Sequence, residues 1–201
     1  MRPTISYITQ EQFNSIIDYI PRLKIRKWLD RDIAMLFKIL YWALLRPSEG
    51  IKLEKKDIDL ELHKIYLHHT KTQVIDEAII PPDFHNELKE WLDNKPDGRL
   101  FEDLTYDRVL QWIIRMGKDL DIMAWVTPQS ESGEKTKGHI FRKSSAKDLL
   151  YGTHDGRKAP INLISAALRH TGKNKVKRNI ETTTGYLKLG SNDVLDWYYD
   201  Q

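Results

Sequence analysis

Arg46, Lys71, His139, Arg142, His170 and Tyr186 carry side chains suited to cutting a phosphodiester without a metal ion. His139 and Arg142 stand three positions apart, so on a helix they share one face. Two guanidiniums can grip the non-bridging oxygens of one phosphate through bidentate, charge-assisted bonds. They would neutralise the charge that builds up in a pentacoordinate transition state. A lysine at a hairpin tip can protonate a departing alkoxide, and histidines can bond the phosphate or carry a proton. A phenol, with an ordinary pKa of about 10, becomes a usable nucleophile where arginines and histidines stabilise its anion.

Each of these residues has a plainer reading on its own. Arg46 suits a helix end, where the dipole favours a cation. Lys71 suits a solvated turn, His139 with Arg142 a helix terminus, and Tyr186 a packed aromatic. Tyr198 and Tyr199 are rival nucleophiles, but "DVLDWYYDQ" flanks them with acids that oppose a phenolate and repel a phosphate.

Other chemistries fit less well. "HTGKNK" hints at a phosphate loop, yet the upstream glycine is missing and Asn174 stands where Ser or Thr would bind magnesium. His68 and His69 are neighbours on an expected strand and point to opposite faces, so with His63 they do not converge on one metal. The carboxylates of "DIDLE" alternate along a strand and read as its solvent side rather than a two-metal centre. There is no Gly-x-Ser-x-Gly elbow and no cysteine nucleophile. The absence of cysteine also excludes disulfide staples and thiolate zinc sites. Neither a metal nor a cofactor is expected.

The net charge of +3 conceals an uneven distribution. From Lys135 to Lys188 there are 13 Lys/Arg against 3 Asp/Glu, whereas the remainder holds 19 basic and 26 acidic residues. A basic segment on an acidic chain is the footprint of a polyanion partner. Lys135, Lys137, Lys143, Lys173, Lys175, Lys177 and Arg178 are the candidate contacts to a nucleic-acid backbone, with a solvated lysine-rich face as the plain alternative. No apolar run reaches membrane-spanning length, and "MRPTISYITQ" lacks the apolar core of a signal peptide. The expected location is therefore intracellular, with no membrane partner.

These residues need elements to hold them. "TQEQFNSIIDYIP" predicts a helix opened by a Thr9–Gln12 capping box, faced by Phe13, Ile16, Ile17 and Ile20, and stopped by Pro21. Ile33, Leu36, Phe37 and Leu40 predict a second helix that runs on through "YWALL". Pro47 and Ser48 then open a new short helix or turn. "DIDLEL", "KIYLHH" and "EAIIPP" change to a strand period and predict a three-stranded antiparallel sheet, with "TKTQ" at or near a hairpin tip.

The helical period returns at Phe84, Leu88, Trp91 and Leu92, and again at Val109, Trp112, Ile113 and Met116 behind Thr105. "TPQSESGEKTKG" is a loop. A helix is expected from about His139 to Leu150, then a Gly/Pro loop, a helix around Ile161 to Leu168, a basic loop, and the amphipathic segment "NDVLDWYYDQ". The expected class is α+β and mainly α-helical, at a length of 201 residues that suits one domain with its own core.

In order along the chain, these motifs resemble the tyrosine recombinases, or phage-type integrases. "LLRPSEGIKL" is similar to the segment carrying the first catalytic arginine, with Glu49 matching the acidic residue that follows it. "HHTKTQ" resembles the hairpin of the catalytic lysine, "HIFRKSSAKDLL" the His-x-x-Arg helix, and "ALRHTG" the segment of the second histidine. "ETTTGYL" resembles the signature of the nucleophile, with Tyr186 at its tyrosine. The stretch between Arg142 and His170 is longer than the usual family form, and so is the loop holding "KNKVKRN".

The resemblance implies a helical catalytic domain with a small three-stranded antiparallel sheet, filling residues 1–201. The N-terminal clamp that family members usually carry is expected to be absent from this chain. It also implies a mechanism. Tyr186 attacks a backbone phosphate to form a 3′-phosphotyrosyl link, Lys71 protonates the 5′-oxygen, Arg46 and Arg142 hold the phosphate, and His139 and His170 assist. The implied partner is double-stranded DNA, bound by a homo-oligomer (a tetramer) in which the C-terminal segment docks on a neighbouring protomer. A type IB topoisomerase, a non-catalytic DNA-binding module and a metal-dependent nuclease are the rival readings.

Overall fold

The computed structural model describes residues 7–25, 27–68, 76–122, 139–153 and 156–169. By its backbone contacts the chain divides into two units, Met1–Ser145 and Ala146–Gln201.

In the first unit, helix α1 (Gln10–Tyr19) opens on the expected capping box: Thr9 Oγ1 accepts from the Gln12 N–H, and Gln12 Oε1 accepts from the Thr9 N–H. Pro21 does not stop the chain's coiling as expected. It sits at the start of a 3₁₀ turn, Ile20–Leu23, where its missing N–H costs nothing. Helix α2 (Asp30–Trp42) is shorter than its apolar run, ending at Trp42 with Ala43 as its cap. Leu44 then takes φ +51°, a left-handed conformation that ends the helix whatever the side-chain period says. Helix α3 (Pro47–Gly50) follows, with Pro47 in its first turn as expected.

A 3₁₀ turn at Lys55–Asp57 leads into strands β1 (Ile58–Asp59), β2 (Lys64–Leu67) and β3 (Asp76–Ile79). They form one antiparallel sheet in the order β1-β2-β3, with Ile58 opposite Ile65 and Ile65 opposite Ala78. Ile65, Leu67 and Ala78 are buried, while Lys64 and Glu77 form an ion pair at 2.8 Å. This is the alternation of a sheet with one face on the core. Helices α4 (Pro82–Asp93) and α5 (Tyr106–Asp119) then bury Phe84, Leu88, Trp91 and Leu92, and Val109, Trp112, Ile113 and Met116.

Helix α6 (Ile140–Tyr151) begins in this unit. Phe141 anchors it in an aromatic cluster: its ring lies 5.0 Å from Phe37 and 5.7 Å from Phe13, which stacks on Tyr41 at 4.0 Å. Ser144 ties it to the start of the described chain, since its Oγ accepts from the buried Ile8 N–H at 2.9 Å and donates to the Ile140 carbonyl at 2.8 Å.

The second unit takes α6 onward to α7 (Ile161–Ala167). Gly152 has φ +71°, and a Cβ there would come within 3.0 Å of the Gly156 backbone, so the turn leaving α6 needs glycine. The Ala159 N–H donates to the Leu149 carbonyl at 2.8 Å, folding the connection back on its own helix.

Candidate active site

Arg46 stands immediately before α3, so its N–H is one of the donors a helix start leaves without an intrahelical partner. Glu49, three residues on, answers it twice. Its Oε2 accepts from the Arg46 N–H at 2.7 Å and its Oε1 accepts from Arg46 Nη1 at 2.5 Å. Glu49 is buried, and a buried carboxylate is tolerable only when donors satisfy it. Gly50 lets α3 approach α2, since a Cβ there would lie 2.7 Å from Leu40 Cδ2 and 3.2 Å from Leu36 Cδ1.

Arg142 arrives from α6 and its side chain is 1% exposed. Its Nη1 donates to the carbonyl of Leu44 and lies 3.9 Å from Glu49 Oε2. The left-handed Leu44 thus does more than end α2. It turns a backbone carbonyl toward Arg142, at a conformational cost on the order of 1 kcal/mol. The Glu49 carboxylate accordingly sits between two guanidiniums, one buried and one 34% exposed.

His139 precedes α6 and joins the same charge cluster. Its pKa is pushed down to about 4, first by burial, then by the positive charges of Arg142 and Arg46, with Glu49 acting in the opposite direction. At neutral pH the ring is therefore uncharged, with one N–H to donate and one lone pair to accept. The structure brings together Arg46, Glu49, His139 and Arg142.

Lys143 departs from its expected place on a DNA-facing surface, because it is buried on α6. Lys71, His170, Tyr186, Lys135, Lys137, Lys173, Lys175, Lys177 and Arg178 lie outside the described residues, as does the C-terminal segment from Asn192. By chain order Lys71 falls in the connection between β2 and β3, and His170 follows α7. Among the described residues no three His, Asp or Glu side chains are placed to hold a metal ion, and no helix is long and apolar enough to cross a membrane.

Two contributors escape sequence reasoning. The Leu44 carbonyl leaves no signal in side-chain pattern. Asp57, grouped above with the solvent side of a strand, instead lies in the 3₁₀ turn before β1, is 4% exposed, and accepts the Glu54 N–H at 2.9 Å. A 3₁₀ turn needs its first N–H groups satisfied just as a helix does, and Asp57 supplies that acceptor.

Comparison with solved structures gives the same fold. XerA recombinase superposes with a TM-score of 0.68 at 18% identity, covering 98% of this chain and 65% of that one. XerH site-specific recombinase bound to difH substrate gives 0.64 at 20% identity, covering 97% and 54%. The catalytic domain of bacteriophage HP1 integrase gives 0.63 at 16% identity, covering 96% and 94%. The chain thus spans about two thirds or less of the first two relatives and nearly all of an isolated catalytic domain. Comparison with curated protein sequences gives no significant match. The family model of the phage integrase family matches residues 6–186. With its paired arginines, bridging glutamate and His-x-x-Arg helix in one cluster, this chain belongs to the phage integrase family.

Proposed function

We propose that this chain is the catalytic domain of a site-specific DNA recombinase that cuts and rejoins strands through a tyrosine. The observation that carries this reading is the shared carboxylate. Both Glu49 oxygens accept from Arg46, and Oε2 also lies 3.9 Å from Arg142 Nη1, beside a neutral His139, in a chain of the phage integrase family.

Each group has a chemical task. Arg46, partly exposed, offers its remaining donors to a non-bridging phosphate oxygen, and Arg142 adds a second guanidinium once DNA binding uncovers it. Tyr186 attacks phosphorus, forming the O–P bond of a 3′-phosphotyrosyl ester as the bond from phosphorus to the 5′-oxygen breaks. Lys71 gives its proton to that departing oxygen. The phenolic proton passes to a base, for which neutral His139 has a lone pair, and His170 assists at the phosphate. The ester conserves the energy of the bond it replaces. The 5′-hydroxyl of another strand can therefore reverse the step without ATP or metal.

The partner is double-stranded DNA, held chiefly by the basic segment from Lys135 to Lys188, so affinity falls steeply with salt. Exchange between strands calls for several copies on one site, and a tetramer pairs four cleavages. The enzyme works where that DNA lies, inside a cell. The test is a suicide duplex nicked so that the cut strand end diffuses away, incubated with the enzyme and EDTA. A covalent protein–DNA adduct is expected, whereas its absence overturns the reading.

A further inference from the structure

Beyond the cluster of Arg46, Glu49 and Arg142, two exposed cations stand on main chain that is itself held fast. Lys52 ends the turn that follows α3, where its N–H donates to the Glu49 carbonyl at 3.1 Å. Arg99 lies in the connection between α4 and α5, and its Nη2 donates to the Ile51 carbonyl at 3.4 Å. The guanidinium is thus beside the residue that precedes Lys52. The two segments brace each other. The Leu100 N–H donates to the Leu53 carbonyl and the Lys55 N–H to the Gly98 carbonyl, both at 2.9 Å, and Glu54 bridges to Arg99. Ile51, Leu53 and Leu100 anchor this pairing in the core.

A surface lysine or arginine is commonly a solvated charge or half of an ion pair. Here the carboxylates close by are taken. Glu49, which shares a shallow depression with Lys52, accepts from Arg46. Glu54 pairs with Lys56 at 2.6 Å, and Asp57 accepts from the Glu54 N–H and faces His68 at 3.4 Å. Among the described residues neither Lys52 nor Arg99 forms an ion pair. The Ile51 carbonyl is neutral, so the charge of Arg99 stays uncompensated and most of its donors are unspent. Two such cations on a rigid frame suit an anionic partner.

Six positions separate Lys52 from Arg46. At a helical rise of about 1.5 Å per residue their Cα atoms stand roughly 9 Å apart. That spans about two to three phosphates of a strand that advances about 3.4 Å along the axis per nucleotide. We propose that Lys52 and Arg99 contact backbone phosphates flanking the one that Arg46 grips. The DNA footprint then crosses from the end of α3 to the connection between α4 and α5. This contact takes phosphodiesters and reads no sequence. It lies outside the basic segment 135–188, in the part of the chain whose balance is acidic. The inference rests on the recombinase reading for the identity of the polyanion.

The experiment follows binding of the full chain to a fluorescent duplex of arbitrary sequence, from about 50 mM to about 200 mM salt. Wild type is compared with Lys52→Gln, Arg99→Gln, Arg99→Lys, the double glutamine variant and Lys118→Gln. Lys118 is exposed on α5 beside Asp119 and controls for simple loss of charge. Lys52→Gln and Arg99→Gln should each weaken binding several-fold at low salt. Each should shallow the slope of log affinity against log salt by about one, and the double variant by about two. Arg99→Lys keeps the charge and should keep most of the slope. Lys118→Gln should bind within about twofold of wild type, as a distant screened charge does.

Slopes equal to wild type in Lys52→Gln and Arg99→Gln, or losses no greater than that of Lys118→Gln, overturn the contact. A loss in Arg99→Gln that Arg99→Lys shares in full assigns Arg99 to bracing the turn and overturns its part in the contact. If wild type shows no salt-dependent binding, the recombinase reading and this inference fall together. If wild type binds and forms the suicide-duplex adduct while the variants bind as it does, this inference alone falls.

Discussion

Glu49 accepts two hydrogen bonds from Arg46, one from its backbone at 2.7 Å and one from its guanidinium at 2.5 Å. The first caps the start of α3, and the second aims the side chain. One carboxylate thus couples the local fold to the direction of the Arg46 guanidinium, and its Oε2 also faces Arg142 Nη1 at 3.9 Å.

Glu49→Ala should therefore lose stability and activity together. Removing the anion leaves two guanidiniums side by side with one of them buried, a loss of about 3–5 kcal/mol by analogy with other broken buried pairs. Glu49→Gln keeps an acceptor for the Arg46 N–H and should lose less. Urea denaturation orders the three proteins, and equal stability of wild type and the alanine variant would contradict the bridging role.

His139 makes a prediction about pH. Its folded pKa of about 4 lies below the ordinary histidine value of 6.5, so between those limits the unfolded chain binds the extra proton. Stability should then be fully present above about pH 6.5 and fall on acidification toward pH 4. The loss from this group is on the order of 3 kcal/mol. His139→Gln should flatten that slope over the same window. A slope unchanged in the variant would assign the titration to another group.

Gly50 tests the seating of α3 on α2. Gly50→Ala places a methyl 2.7 Å from Leu40 Cδ2, in a core with little room to yield, and should lower stability by about 1–3 kcal/mol. Cleavage should slow beyond what the stability loss explains, because α3 carries Glu49 and follows Arg46. A melting temperature at or above that of wild type would show that the helix has slack.

Much of this frame is legible in the sequence because its causes are local. Thr9 and Gln12 cap α1 through their own side chains, and Phe84, Leu88, Trp91 and Leu92 repeat at the period of the helix they bury. The misplaced features have non-local or backbone causes. The apolar run "YWALL" continues past Trp42, but Leu44 turns left-handed, where its carbonyl meets Arg142 98 positions further on. Asp57 looks like one of an alternating set of strand carboxylates, whereas the strand starts one residue later and Asp57 caps the turn before it. In α6, Phe141, Arg142, Lys143 and Ser144 are successive and all buried. A helix buried all round has no polar stripe for sequence patterning to find. The His-x-x-Arg motif was visible there because it is a chemical pattern rather than a packing pattern.

Phe141 connects that packing to the chemistry. Its ring contacts with Phe13 and Phe37 hold the first turn of α6, one residue from Arg142 and two from His139. Phe141→Ala should cost about 3–5 kcal/mol and loosen both site residues, while Phe141→Leu should retain most of the activity. Circular dichroism melts paired with adduct yield separate the two effects. Full adduct yield from a folded alanine variant would dismiss the anchoring role.

The central claim is that Tyr186 becomes covalently joined to DNA, and the most direct measurement is the identity of the residue that carries the nucleotide. The trapped adduct is digested with protease and nuclease, and the modified peptide is sequenced by mass spectrometry, alongside Tyr186→Phe. The account predicts modification at Tyr186 in wild type, with EDTA present, and no adduct from the phenylalanine variant. Modification at Tyr198 or Tyr199, or an equal adduct from Tyr186→Phe, would contradict it.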